Sequence, residues 1–197
     1  MPFLSIVTRN HPRRPNLLER CKASIEKQTD KDFQHVILYD EEGLGIPYAN
    51  QMFSNNRHLM TGEYVFILDD DDVLIVDNFV EDMKQVAKEH GDPGIIFIRM
   101  LINGSLYPSK EVWEKDKMIA NHVGSSCSVV LNKLWQENIE YFVTTETPGD
   151  FNFIDAVFSR NPTVYWQDKV YSEASCLSRG GAENESEISI EIDTILA

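Results

Sequence analysis

The stretch Tyr64-Val65-Phe66-Ile67-Leu68-Asp69-Asp70-Asp71-Asp72-Val73-Leu74 runs an apolar segment directly into four consecutive carboxylates. The apolar part is rich in aromatic and β-branched residues and reads as a buried strand. Four like charges at a strand end repel one another, and nothing local in the sequence relieves them. A hard divalent cation with oxygen ligands would do so. Strand carboxyl ends are also where open α/β sheets bind ligands. The first expectation is therefore a metal site at the carboxyl edge of a sheet, serving a phosphorylated substrate. A solvated acidic turn is the alternative; against it, Val73-Leu74 ties the run to a core on its far side as well. An EF-hand loop fits poorly, because Leu74 stands where its glycine belongs.

The 197 residues suit one domain with a proper core. A hydrophobic content of 42% with 25% charged residues is that of a soluble globular chain. The net charge of −14 argues against nonspecific binding to nucleic acid and against electrostatic docking on anionic lipid. Arg13 and Arg14 form the only adjacent basic pair. Cys21, Cys127 and Cys176 are widely spaced and match neither a zinc site nor a disulfide framework, so reduced thiols in a cytoplasmic protein are expected. The opening residues lack the basic flank of a signal peptide, and no apolar run approaches membrane-span length. A homo-oligomer is left open.

Outward from the acidic run, the chain alternates strands and helices. Phe3 to Thr8 reads as a strand, Arg9 to Pro15 as a loop, and Asn16 as the cap of a helix with Leu17, Leu18, Cys21 and Ile25 on one face. Phe33 to Tyr39 is a second strand, which implies a parallel pair with a right-handed crossover. Gly43-Leu44-Gly45 leads into a helix from Ile46 to Met60. Asp77 or Asn78 caps a further helix, Gly91-Asp92-Pro93-Gly94 breaks the chain, and Gly94 to Met100 is strand-like. The first half thus predicts a doubly wound α/β sheet. The second half is less regular: a short helix within Ile102 to Val123, a strand at Ser125 to Leu131, a helix end at Leu134 to Glu140, a helix opening at Asp150 and a short strand at Thr163 to Trp166. Ile188, Ile190 and Ile192 alternate with polar residues, as in an edge strand or a segment that docks on a partner.

These pieces, in this order, resemble the family 2 glycosyltransferases. The resemblance rests on Ser5-Ile6-Val7-Thr8-Arg9-Asn10, on Leu17-Leu18-Glu19-Arg20-Cys21-Lys22-Ala23-Ser24-Ile25 with Gln28-Thr29, on Asp40 after the second strand, and on Thr61-Gly62-Glu63-Tyr64 before Leu68-Asp69-Asp70-Asp71-Asp72. It is dense over the first half and thin after it. It implies a GT-A type, Rossmann-like α/β fold: a mixed, mainly parallel sheet flanked by helices in one domain over residues 1–197. Residues 1–100 would form the nucleotide-sugar half, 101–180 the acceptor half, and 181–197 an acidic tail.

The implied activity is metal-dependent, inverting transfer of a sugar from a nucleotide-diphosphate sugar, expected to be a uridine one, to a glycan or other hydroxyl acceptor. By the resemblance, Asp71 with Asp69 would hold Mn2+ or Mg2+. Thr8, Arg9, Asn10, Asp40, Asp69 and Asp70 would line the donor site, and Arg179 would fold over the diphosphate. Asp150, which aligns best with the family's Glu-Asp pair, would be the general base, with Glu146 and Asp155 as runners-up. Each has a plainer alternative: a helix cap for Asp150, a turn residue for Asp40, a solvated loop arginine for Arg179. His122 is either an acceptor-site or a surface residue. The chain departs from the family in a short segment between Asp40 and Gly45, in lacking the arginine of a Gly-x-x-x-Arg-Asn element at Gly45 to Asn50, and in lacking the Glu before Asp150. Two other functions stay open: a non-catalytic relative that binds nucleotide or glycan, and a sugar nucleotidyltransferase. The latter prefers a glycine-rich basic loop that Thr8 to Pro12 does not supply.

Overall fold

The computed structural model describes residues 1–115, 117–143, 149–160 and 162–174. In chain order it contains β1 (Leu4–Asn10), α1 (Pro15–Glu26), β2 (Phe33–Tyr39), α2 (Ile46–Asn55), β3 (Tyr64–Ile67), β4 (Asp72–Leu74), α3 (Phe79–His90), β5 (Ile95–Ile102), β6 (Ser105–Tyr107), α4 (Lys110–Lys115), β7 (Ser128–Leu131), α5 (Asn132–Asn138), α6 (Gly149–Phe158) and β8 (Val164–Ala174). The strands form one sheet in the order β2-β1-β3-β7-β5-β8-β4, with β6 on β5. The expected α/β fold with a mixed sheet and flanking helices is what the chain adopts. Its β2-β1-β3 block is parallel, as is β5 with β8. The β3-β7, β5-β7, β4-β8 and β5-β6 pairs are antiparallel. The parallel character therefore belongs chiefly to the first half, and β7 enters between β3 and β5 to turn the sheet mixed.

Strand alternation sends successive side chains to opposite faces, and both faces are covered. Val65 and Ile67 of β3 join Ile95 and Phe97 of β5 in a core with α2, α5 and α6 residues such as Phe53, Trp135 and Phe153. Tyr64, Phe66 and Leu68 join Ile96 and Ile98 in a second core with Cys21 and Ile25 of α1 and Phe79 and Met83 of α3. This is why the run before the carboxylates has no polar face. Tyr64 carries a hydroxyl into that interior and satisfies it by donating to the Pro93 carbonyl at 3.0 Å.

Several local details differ from the sequence expectation. Arg9 and Asn10 belong to β1, paired with Leu38 and Tyr39 of β2, so the loop starts later than the prolines suggest. Helix α1 starts at Pro15 with no side-chain cap; proline at the first helical position loses only an N–H that would be unbonded there anyway. The helix expected to reach Met60 stops at Asn55 and is followed by a separate 3-10 turn, Arg57–Leu59. Helix α3 follows Asn78, but Asn78 makes no capping bond. Gln28 does this work from a distance: its Oε1 accepts from the Phe79 and Val80 amides at 2.8 and 3.4 Å. The second-half strand is far longer than Thr163 to Trp166 because β8 continues through Gln167, Asp168 and Lys169, where its register against β5 shifts. Gly62, just before β3, lies against the start of β1: a Cβ there would stand 2.5 Å from the Ser5 backbone nitrogen. Arg179, Glu146, Cys176 and the isoleucines of the tail lie outside the described residues. Among those described, no helix is long and apolar enough to cross a membrane.

Candidate functional site

β1 and β3 are neighbours and parallel, so their carboxyl ends emerge side by side. That brings Arg9 and Asn10 next to the acidic turn. The chain leaves β3 at Ile67, turns with the Asp72 amide donating to the Asp69 carbonyl at 3.0 Å, and returns as β4 on the far edge against β8. A tight turn held in this way points its four carboxylates in different directions.

Asp69 faces β1. Arg9 grips it with two donors, Nε to Oδ1 at 2.7 Å and Nη2 to Oδ2. The remaining Arg9 terminus, Nη1, donates to Asn50 Oδ1 at 2.6 Å, and the guanidinium lies 4.9 Å from the Phe53 ring centre. Burial works against charge on Arg9, but Asp69, then Asp150 and Asp71, outweigh it, so its proton is held more tightly than usual. Asp70 faces the loop after β1: it accepts the His11 amide at 2.6 Å and lies 3.3 Å from Arg14 Nη1. Asp71 Oδ2 lies 3.4 Å from the same Arg14 nitrogen. Asp72 turns inward and accepts from Ser126 Oγ at 2.8 Å.

Burial pushes three of these carboxyls up. Asp70 reaches about 7, through burial first and then Asp71 and Asp69, against the pull of the His11 amide and Arg14. Asp71 is raised by burial and then Asp69. Asp72 is raised further, by burial and then Asp71 and Asp69. Asp150 stands near the start of α6 and is also raised, mainly by burial, while the Phe151 amide and Arg9 favour its charged form. Its Oδ1 accepts that amide at 2.8 Å. Gly149, the first residue of α6, is packed so closely that a Cβ would stand 2.5 Å from the Phe142 carbonyl oxygen and 2.6 Å from Asn50 Nδ2. Asn50 therefore sits between Arg9 and the α6 start. Arg9, Asp69, Asn50 and Asp150 form one electrostatic neighbourhood drawn from β1, the acidic turn, α2 and α6.

The structure does not bring every expected donor residue to this place in the same way. Thr8 is fully buried; its hydroxyl lies 2.9 Å from His35 Nε2 and 3.7 Å from Cys21 Sγ, on the α1 side of the sheet. From there it ties β1 to β2 and α1. Asp40 is buried and accepts the amides of Glu42, Gly43 and Leu44 at 3.2, 2.8 and 2.9 Å, so it closes its own loop. Asp70 is 2% exposed and serves the β1–α1 loop rather than an open pocket. Asn10 is half-buried, and its amide donates to the His11 carbonyl at 3.3 Å. His122 bonds with Ser109 Oγ at 2.8 Å. Sequence reading missed Arg14 and Ser126 as partners of the turn, and Asn50 as the partner of Arg9. Asn50 had a signal, as the last residue of the glycine-led element, and Arg14 belongs to the lone basic pair. Ser126 had none.

The donor set suits a divalent cation in its chemistry. It offers carboxylate oxygens, which hard cations prefer, and burial with neighbouring carboxylates disfavours their charged form, a penalty that a cation would offset. In the structure, however, arginines hold those oxygens. Among the described residues, no three His, Cys, Asp or Glu side chains are grouped so as to hold a metal ion.

No family model and no curated protein matches the chain in sequence. Its fold, by contrast, matches solved structures. S. aureus TarS 1–349 superposes with a TM-score of 0.62 at 15% identity, over 96% of this chain and 65% of that one. The same TarS piece in complex with UDP-GlcNAc superposes at 0.58 with 16% identity, over 87% of this chain and 58% of that one. A glycosyltransferase involved in glycosylation of the major capsid of PBCV-1 superposes at 0.62 with 11% identity, over 95% of this chain and 100% of that one. The chain thus spans less than two thirds of the TarS piece.

Proposed function

We propose that this chain transfers a sugar from a nucleotide-diphosphate sugar, a uridine one, to a hydroxyl acceptor with inversion at the anomeric carbon. The observation that carries the reading is the convergence of Asp69 and Arg9 at paired strand ends with Asp150 at the start of α6. It is supported by the fold shared with a glycosyltransferase and with a protein solved with UDP-GlcNAc.

Inverting transfer needs a base on the far side of the sugar from the leaving group. Asp150 fills that role. A carboxylate whose proton affinity is raised by burial is a stronger base than one in water, while the Phe151 amide and Arg9 pull the other way and favour its charged form. The acceptor oxygen attacks the anomeric carbon as its proton passes to an Asp150 oxygen. The bond from that carbon to the diphosphate breaks, and the electron pair leaves with the nucleoside diphosphate. Asn50 and Arg9 hold Asp69 and the α6 start at fixed positions, so the donor meets a preformed floor. Asp71, with Asp69, is the pair that would hold Mn2+ or Mg2+. When bound, such a cation would supply neutralisation of the charge that builds on the leaving diphosphate.

The test is nucleotide release from a panel of uridine and guanosine diphosphate sugars, with and without an acceptor mixture. Wild type should release nucleotide from one donor class, and Asp150→Asn should lose that turnover by about a hundredfold or more while still binding UDP. Binding of UDP with no turnover on any donor would favour the non-catalytic alternative.

A further inference from the structure

Arg14 closes the loop between β1 and α1, and its guanidinium reaches two members of the acidic turn through one nitrogen. Nη1 lies 3.3 Å from Asp70 Oδ1 and 3.4 Å from Asp71 Oδ2. Both distances exceed the roughly 2.7–2.9 Å of a well-made bond between charged partners. The Arg14 Nε–H is buried and meets no acceptor among the described residues. Leaving such a donor unmet is unfavourable. Arg9, a few residues earlier, makes the opposite use of the same group: its Nε bonds Asp69 at 2.7 Å and its Nη1 bonds Asn50 at 2.6 Å. Arg9 belongs to a strand and is fully engaged. Arg14 belongs to a loop, is held through long contacts, and keeps a donor in reserve. A guanidinium with an unmet Nε–H and only long contacts at Nη1 is suited to rebind on a phosphate.

We propose that Arg14 is an exchangeable counterion of the acidic turn, which covers Asp70 and Asp71 and passes to the diphosphate of the donor as a divalent cation takes its place beside Asp71. The proposal rests on the nucleotide-sugar reading above. It has a consequence that a purely structural arginine would not produce. Arginine and metal compete for the same carboxylates, whereas arginine and diphosphate attract. Removing Arg14 therefore acts on the two ligands in opposite directions. Removing an arginine that only props up the loop would weaken both.

Calorimetric titration of the full chain decides it, comparing wild type with Arg14→Gln and Arg14→Lys against Mn2+ alone, UDP with Mn2+, and uridine. Wild-type binding of UDP with Mn2+ tests the nucleotide-sugar reading itself; if it is absent, that reading fails and the proposal falls with it. Where wild type binds, Arg14→Gln should bind Mn2+ alone on the order of tenfold tighter and UDP on the order of tenfold weaker, with uridine unchanged. Arg14→Lys keeps the charge but loses the fork, so it should bind Mn2+ as wild type does and lose part of the UDP affinity. If Arg14→Gln does not fold, the lysine variant and the wild-type arginine Nε–H spectrum decide the matter. The signal missing from Arg14→Lys must shift on adding UDP with Mg2+ and stay in place with uridine. Weaker binding of both Mn2+ and UDP by Arg14→Gln, unchanged UDP affinity, or an Nε–H signal indifferent to UDP overturns the proposal.

Discussion

Replacing Asp70 with asparagine probes the charge stored in the acidic turn while keeping the shape of the side chain. Asp70 is 2% exposed, and its carboxyl is raised from 3.8 to about 7. A group raised on folding contributes stability that is fully present below its unfolded value and is lost as pH rises through its folded value. For Asp70 that window runs from 3.8 to about 7. Each pH unit within it is worth about 1.4 kcal/mol, so the charged form destabilises the fold by about 4 kcal/mol at pH 8. The Asp70→Asn amide does not titrate, and its oxygen can still accept the His11 amide, which wild type meets at 2.6 Å. Any loss from that weaker bond is the same at every pH. The stability of Asp70→Asn minus that of wild type should therefore climb by roughly 4 kcal/mol between pH 4 and pH 8 and be level outside the window. Urea unfolding followed by tryptophan fluorescence, in chelator-containing buffer at half-unit pH steps, measures the difference directly. A difference that stays flat to within about 1 kcal/mol would mean that Asp70 titrates as an ordinary carboxyl and stores no such charge.

His35 supplies a second pH dependence of opposite sign. Burial lowers it from 6.5 to about 4, so the unfolded chain binds a proton that the folded chain does not, and stability falls on acidification across that window by up to about 3 kcal/mol; His35→Gln should remove this slope in the same urea series. Gln28→Ala should lower stability by about 1–2 kcal/mol by uncapping α3, read as an earlier urea midpoint with an unchanged slope. Gly149→Ala forces a Cβ into the Phe142 carbonyl and Asn50, and should cost about 1–3 kcal/mol while also lowering turnover, because displaced Asn50 releases Arg9.

The central strand and its acidic end were legible because burial on both faces leaves an unbroken apolar run, and nothing polar interrupts Tyr64 to Leu68. The first parallel block was legible for the same reason, with β2 read to its observed limits. β8 was cut short because a register shift and a charged stretch at Asp168-Lys169 break its pattern; those charges are paired with Arg99 and Asp82 from other elements. The Gln28 cap of α3 joins residues about fifty apart, which no local pattern reveals. At the site, the sequence marks the carboxylates but not their directions. One turn sends Asp69 to Arg9, Asp70 to the His11 amide and Asp72 to Ser126, and only the tertiary arrangement distinguishes them. Asn50 escaped notice because it acts by joining Arg9 to the α6 start, a role that exists only once both are in place.

Under the proposed function, the buried carboxylates at the end of β3 receive a cation together with a nucleoside diphosphate. Thermal unfolding with UDP, with and without Mn2+, tests it in wild type and in Asp71→Asn. UDP with Mn2+ should stabilise wild type by about 2.7 kcal/mol at a hundredfold excess over the dissociation constant, UDP without Mn2+ should stabilise it less, and Asp71→Asn should lose the Mn2+-dependent part. Stabilisation by UDP that is indifferent to Mn2+, or that survives Asp71→Asn with its Mn2+ dependence intact, would leave the acidic turn with no cation role.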